Sequence, residues 1–343
     1  MAKGFVLPAA LDLRTWLIGR TGGSTLRIRS LDEPGEVSVD LFSGNGSAEG
    51  WGVYARAIVR ALMDGGHRLR GFDGVIASDV PRGAGLSSSH ALEVGLAMAV
   101  LVERPEAGAL ALLCQRAENA YVGVQSGIMD PLASIAGERG KALLIDCRSL
   151  AVRPVPIPDG VAIVVVDSGV RRSLADGRYN EVRRDLDEAA RLLGVDVLRD
   201  VDQSRLDEAI GDGTLTGSVM RRARHIVSEN ARTLAAADAL QAGRMDEVAE
   251  LFAASHRSLH DDLGVTVPAL DALVEIARAT EGVIAARMTG GGFGGCTVNL
   301  VRADAAQAAA VSIVERYGRD GGATGRAWVT RAGDGAGREA WPA

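Results

Sequence analysis

A glycine- and serine-rich turn, PRGAGLSSS at 81–89, stands between an apolar strand pattern (GVIAS, 74–78) and a buried-helix pattern (ALEVGLAMAVLVE, 91–103). No other segment constrains the fold as much. Gly83 and Gly85 let the backbone come close to a ligand, and the start of the following helix offers free N–H groups and the positive end of its dipole to an anion. The hydroxyls of Ser87, Ser88 and Ser89 add donors, or a ligand for a divalent cation. No GK[ST] follows, so this is not a Walker A loop, and the GxGxxG dinucleotide fingerprint is absent. The same residues would also make an ordinary cap, with serine at the helix start and glycines in a turn. Alone, the segment leaves both readings open.

The chain has 343 residues, enough for two domains or one large one and for a real core. Hydrophobic residues make up 47% and charged residues 24%, which excludes a disordered or fibrous chain. The net charge of -6, with acids spread along the sequence, argues against a nucleic-acid-binding surface. Any phosphate must therefore be held by local groups. The three cysteines, Cys114, Cys147 and Cys296, have no CxxC spacing and suggest neither a disulfide framework nor a zinc site, so a cytoplasmic protein is expected. No apolar run approaches the roughly 20 residues of a membrane helix, and Asp12 interrupts the one apolar stretch near the start, so neither a membrane span nor a signal peptide is expected.

Strand alternation is read at 24–30 and 36–42, and a helix at 51–63 ending in Gly65 and Gly66. Residues 110–120 read as helical and 141–150 as a strand ending in a turn. The segment VRPVPIPDG (152–160) carries three prolines and is read as a linker. That puts a boundary near 155 and gives domains 1–155 and 156–343. Beyond it come a buried strand (VAIVVVDSG), helices at 178–193, 218–242, 244–259 and 268–279, a strand–turn unit at 282–300 and a helix at 303–317. The class is mixed α+β.

Two further segments carry chemistry. MTGGGFGG (288–295) holds five glycines in the six positions 290–295. Backbone so costly to order implies close approach by a ligand or by another backbone, or else a tight turn between buried elements. In AENAYVGVQSGIMDP (117–131), Glu118 lies on a helix and Asp130 follows Gly123 and Gly127 at the start of another. Two carboxylates beside a phosphate loop can divide the work, one holding Mg²⁺ and the other accepting a proton from a hydroxyl nucleophile. Either acid taken alone also reads as a solvated charge or a cap.

Taken together and in this order, PRGAGLSSS, GIMD and TGGGFGG resemble the GHMP kinase superfamily. Within it the chain looks like the galactokinases: GFVLPAALDLRT, GVQSGIMDPLAS, ALLIDCRSL, SLADGRYNEVRR, RRARHIVSENART, SHRSLHDDLGVTVPALDALV and ARMTGGGFGGCTVNLV all match their usual pattern. The resemblance runs nearly end to end. It implies a two-domain fold, with an N-terminal domain like the second domain of ribosomal protein S5 and a ferredoxin-like C-terminal domain. The implied activity is ATP-dependent, Mg²⁺-requiring phosphorylation of D-galactose at its anomeric hydroxyl, by a monomer. A kinase for N-acetylgalactosamine or L-arabinose, or a silent sugar-binding regulator on the same fold, stands as the alternative.

By the same resemblance, Pro81, Gly83, Ala84, Gly85, Leu86, Ser87, Ser88 and Ser89 wrap the ATP phosphates, with Ser88 or Ser89 and Glu118 at Mg²⁺. Asp130 is the expected base, Gly127 lies against the sugar, and Tyr179 hydrogen-bonds to it. Trp51 and Tyr54 match positions lining the adenine pocket, though their spacing also suits core packing, and Gly291 belongs to the glycine run supporting the nucleotide cleft. Three departures stand out. The family's GEHTDYNxG signature, and the arginine-bearing strand before it, would precede Gly4, so the resemblance implies a chain that starts after part of its sugar site. His90 stands where alanine is usual and is read as filling space. Pro131 replaces a usual glutamine, and Arg172 a frequent histidine; proline this early in a helix is tolerated.

Overall fold

The computed structural model describes residues 3–47, 49–171, 177–319 and 325–339. In chain order the strands are β1 (Phe5–Val6), β2 (Thr15–Thr21), β3 (Thr25–Ser30), β4 (Glu36–Asp40), β5 (Gly46–Ser47), β6 (Phe72–Ser78), β7 (Lys141–Asp146), β8 (Val152–Pro156), β9 (Val161–Asp167), β10 (Val283–Met288), β11 (Cys296–Arg302) and β12 (Arg326–Thr330). The α-helices are α1 (Gly52–Asp64), α2 (Ser88–Val100), α3 (Ala107–Arg116), α4 (Met129–Ala136), α5 (Arg178–Leu192), α6 (Gln203–Gly211), α7 (Gly217–Gln241), α8 (Met245–Ser258), α9 (Pro268–Arg278) and α10 (Ala306–Arg319). These elements fall into two compact units, one of Pro8–Arg82, Leu86–Arg139 and Ala332–Ala343, the other of Met1–Leu7, Gly83–Gly85 and Gly140–Arg331.

The first unit is built on a five-stranded sheet in the order β2-β6-β3-β4-β5, in which β3 and β6 run parallel. Alternation sets its inner face: Leu26 and Ile28 on β3, with Val37 and Val39 on β4, are buried while their neighbours are exposed or half-buried. α1 and α2 pack on this sheet, on β4 and β2 respectively. α1 turns Ala55, Ile58, Val59 and Leu62 inward, and α2 turns Val94, Leu96 and Ala97. Residues 332–339 also belong here. Asp334 receives two hydrogen bonds from the Arg139 guanidinium at 2.9 and 3.1 Å, and Arg338 donates to the carbonyls of Met98 and Leu101.

The second unit holds an antiparallel four-stranded sheet, β10-β11-β9-β12. Val164, Val166, Ala286 and Val301 from its strands pack with Leu273 and Ala277 of α9 and Ile313 of α10. Pro268 opens α9, where its missing N–H costs nothing, and Asp202 caps α6 by accepting from the Arg205 N–H at 2.9 Å. A three-stranded sheet, β1-β7-β8, completes this unit. The Pro-rich segment expected as a linker supplies β8 instead, with Pro154 opposite Leu143. Its edge position explains the prolines, since an edge strand has N–H groups it need not pair. The main chain passes from one unit to the other between Arg139 and Gly140, ahead of this segment.

Two of the quoted sequence segments meet in the second unit. The Phe5 N–H donates to Asn230 Oδ1 at 3.1 Å, and a Cβ on Gly4 would stand 2.3 Å from the same oxygen. Among the described residues, no helix is long and apolar enough to cross a membrane.

Candidate active site

The turn between β6 and α2 takes up left-handed backbone three times, at Gly83 (φ 68°), Gly85 (φ 80°) and Ser87 (φ 58°). Glycine does this freely; serine does not. Ser87 immediately precedes the first helical residue of α2, and its hydroxyl donates to Asp130 Oδ2 at 2.5 Å rather than accepting from the helix's own N–H groups. Asp130 lies in the first turn of α4, with Pro131 buried beside it, so the proline unusual for the family continues the helix without breaking it.

Pro81, Gly85, Leu86, Ser88 and Ser89 are half-buried, and the two serines open α2. The middle of the turn groups with the second unit. There the Ala84 carbonyl accepts from Cys296 Sγ at 2.8 Å, and the Gly83 carbonyl accepts from Arg171, which also holds Asp167 at 3.2 Å.

One turn along α2, His90 and Glu93 lie three residues apart and so share a face. Opposite them stands Glu118, carried by a π-helical turn (Ala117–Val122) that continues α3 and ends at Gly123 with φ 85°. Such turns occur often at functional sites; the sequence read this stretch as plain helix. His90, Glu93 and Glu118 are at most 3% exposed. His90 Nε2 lies 3.2 Å from Glu118 Oε2 and Nδ1 lies 3.9 Å from Asp130 Oδ2, so the two acids flank opposite nitrogens of one ring. Neither contact is aligned as a hydrogen bond, and both His90 nitrogens and both Glu93 oxygens lack a hydrogen-bond partner. His90 therefore does more than fill space: its polar atoms face carboxylates.

Burial first, and the charge of Glu118 second, push the Glu93 carboxyl up to about 9. Burial, then Glu118 and Glu93, also raise the Tyr54 phenol, which places Tyr54 beside the cluster. Trp51, half-buried, sits at the head of α1. Each of the three cluster residues offers a ligand atom within 4.8 Å of the others, and unpartnered buried donors of this kind fit a divalent cation. The sequence reading named Glu118 but passed over Glu93, whose signal was a lone carboxyl in an otherwise apolar helix.

The remaining expected residues divide. A Cβ on Gly127 or on Gly291 would meet nothing within 4 Å, so both face open space. In the same glycine run, a Cβ on Gly292 (φ 78°) would strike the Val265 carbonyl at 2.3 Å, and one on Gly294 (φ 126°) the Val170 carbonyl at 2.5 Å. The close approach expected of this run is, at these two positions, made by neighbouring backbone. The side chain of Tyr179 and the whole of Arg172 lie outside the described residues.

Residues 53–138 match the family model for the GHMP kinases N terminal domain, and residues 236–320 that for the GHMP kinases C terminal domain. A galactokinase of Roseiflexus sp. (strain RS-1) is 44% identical over 352 residues, covering 98% of this chain and 88% of the relative. A galactokinase of Chloroflexus aurantiacus is 46% identical over 324 residues, covering 92% of this chain and 83% of the relative. Among solved structures, Lactococcus lactis galactokinase complexed with galactose superposes with a TM-score of 0.89 at 32% identity, covering 97% of this chain and 89% of that one.

Proposed function

The chain belongs to the galactokinase family of the GHMP kinases, and on that premise we propose that it transfers the γ-phosphoryl group of ATP to the anomeric hydroxyl of D-galactose, giving galactose 1-phosphate and ADP. One observation carries the reading at the level of chemistry: Asp130, held by Ser87 at the head of α2, and the buried Glu118 lie on either side of one histidine ring. On this reading Asp130 is the proton acceptor and Glu118 a cation ligand, both beside a helix whose free N–H groups attract phosphate.

In this reading the N–H groups at the start of α2 and the turn 81–89 bind the triphosphate, while Trp51 and Tyr54 border the adenine. Gly127, Tyr179 and Asp130 meet the sugar. The anomeric oxygen attacks the γ-phosphorus as its proton passes to Asp130, and the bond to the β-phosphate oxygen breaks, leaving ADP. The Ser87 hydroxyl holds Asp130 in position. Glu118, with Ser89, would hold Mg²⁺, which supplies charge neutralisation for the phosphoryl oxygens. We also read the protein as a cytoplasmic monomer, consistent with cysteines that are all thiols.

The test is to supply ATP and Mg²⁺ with D-galactose, N-acetylgalactosamine or L-arabinose in turn, and to follow ADP release and the phosphorylated sugar. Turnover fastest on galactose, with galactose 1-phosphate as product, supports the assignment. Preference for either other sugar would move it to the neighbouring kinases. Binding of sugar without turnover of any would make the chain a silent binder.

A further inference from the structure

The His90, Glu93 and Glu118 cluster offers one imidazole and two carboxylates, and this donor set differs from what Mg²⁺ prefers. Mg²⁺ takes oxygen ligands and keeps several waters, whereas an imidazole nitrogen favours first-row transition ions such as Zn²⁺. The three side chains also converge on one point from two elements. The three ligand atoms lie within 4.8 Å of one another, and two helical residues spaced i, i+3 are opposed by one from a separate turn. The independent sign of a ligand is the state of the donors: four side-chain atoms, His90 Nδ1 and Nε2 and Glu93 Oε1 and Oε2, are buried without any hydrogen-bond partner. Buried polar atoms are nearly always satisfied, and leaving these empty costs stability that a bound cation would return.

We propose that His90, Glu93 and Glu118 form a site that binds a divalent first-row transition ion, with Zn²⁺ the favoured probe, in preference to Mg²⁺ and without any nucleotide. Three protein ligands leave room for a water as the fourth, the usual arrangement of an open zinc site. His90 is the residue that changes the selectivity, because removing it leaves two carboxylates, a set that suits Mg²⁺. The binding stands on these three side chains alone. Its consequence, that a transition ion and Mg²⁺·ATP compete for Glu118, rests on the role proposed above for that residue.

The experiment titrates Zn²⁺ and, separately, Mg²⁺ into the nucleotide-free full chain by calorimetry, with thermal unfolding as a parallel readout. The expected result is one Zn²⁺ per chain, bound at least about 100-fold more tightly than Mg²⁺, with a rise in unfolding temperature. His90→Ala should weaken Zn²⁺ binding at least about tenfold while Mg²⁺ binding holds or strengthens. Glu93→Gln, which keeps the packing volume, should weaken Zn²⁺ binding as well. Equal Zn²⁺ affinity in wild type and both variants, or no Zn²⁺ binding by a folded chain, overturns the proposal. Galactose phosphorylation with Mg²⁺ alone is measured on the same samples: its absence would count against the kinase reading, while missing Zn²⁺ binding with intact turnover would count against this one only.

Discussion

Ser87 Oγ donates to Asp130 Oδ2 at 2.5 Å from a backbone held at φ 58°, a conformation that serine rarely adopts. The strained residue is also the one that orients the expected base. Left-handed backbone in a non-glycine residue costs about 1–2 kcal/mol, so a gain elsewhere must maintain it, and the charged hydrogen bond to Asp130 is that gain.

Ser87→Gly separates the two effects. The backbone strain disappears with the side chain, so thermal stability should hold or rise by about 1 kcal/mol. The rate should fall by about tenfold or more, because a hydrogen bond to a charged group contributes about 1.5–3 kcal/mol. KM for galactose should change less than kcat. Calorimetric unfolding and steady-state kinetics on one preparation read both; a loss of stability with unchanged kcat would assign Ser87 a structural role only.

Gly292→Ala should be severely destabilising. The added methyl would sit 2.3 Å from the Val265 carbonyl, on backbone at φ 78°. Neither atom is the end of a flexible side chain, so the turn itself must move, at a cost of about 2 kcal/mol or more. Gly291→Ala is the control, since a Cβ there meets nothing within 4 Å. Denaturant unfolding of the two variants tests the contrast, and equal stability would contradict it.

His225 makes stability depend on pH in the second unit. Burial lowers its pKa from 6.5 to about 4, and its Nδ1 lies 3.0 Å from Ser258 Oγ. Between those two values the unfolded chain binds a proton that the folded chain does not, so stability rises with pH through the window and is lost as pH falls from about 6.5 towards 4. The loss amounts to about 3 kcal/mol once both forms are charged. His225→Gln should flatten the stability profile in this window; an unchanged slope would show that other groups set it.

Glu118→Gln should raise the Mg²⁺ concentration needed for half-maximal rate by about tenfold or more while leaving galactose binding intact, since a lost charged ligand weakens a hard-cation site. Mg²⁺ titration of the rate checks this. An unaltered Mg²⁺ requirement would free Glu118 of that role.

Much of this architecture was legible in the residues, and the exceptions have physical causes. Helices α5, α7, α8 and α9 follow their apolar spacing, and β3 and β4 their alternation, because each buries one face. β2 escaped notice because Trp16 and Ile18 on this edge strand are exposed, so no buried stripe marks it. β8 was masked by its prolines, which an edge strand tolerates. At the site, the motifs marked Ser87, Glu118 and Asp130. The π-turn under Glu118, and the meeting of Glu93 and His90 with it, depend on tertiary packing that no local pattern encodes.

The central claim is that Asp130 accepts the proton of the galactose hydroxyl, and Asp130→Asn tests it most directly. Asparagine keeps the shape and can still pair with Ser87, but it cannot take a proton at neutral pH. Calorimetry should show galactose and ATP binding close to wild type, while kcat for ATP-dependent phosphorylation of galactose falls by about 10²- to 10⁴-fold. Turnover within a few-fold of wild type, with binding intact, would contradict the account.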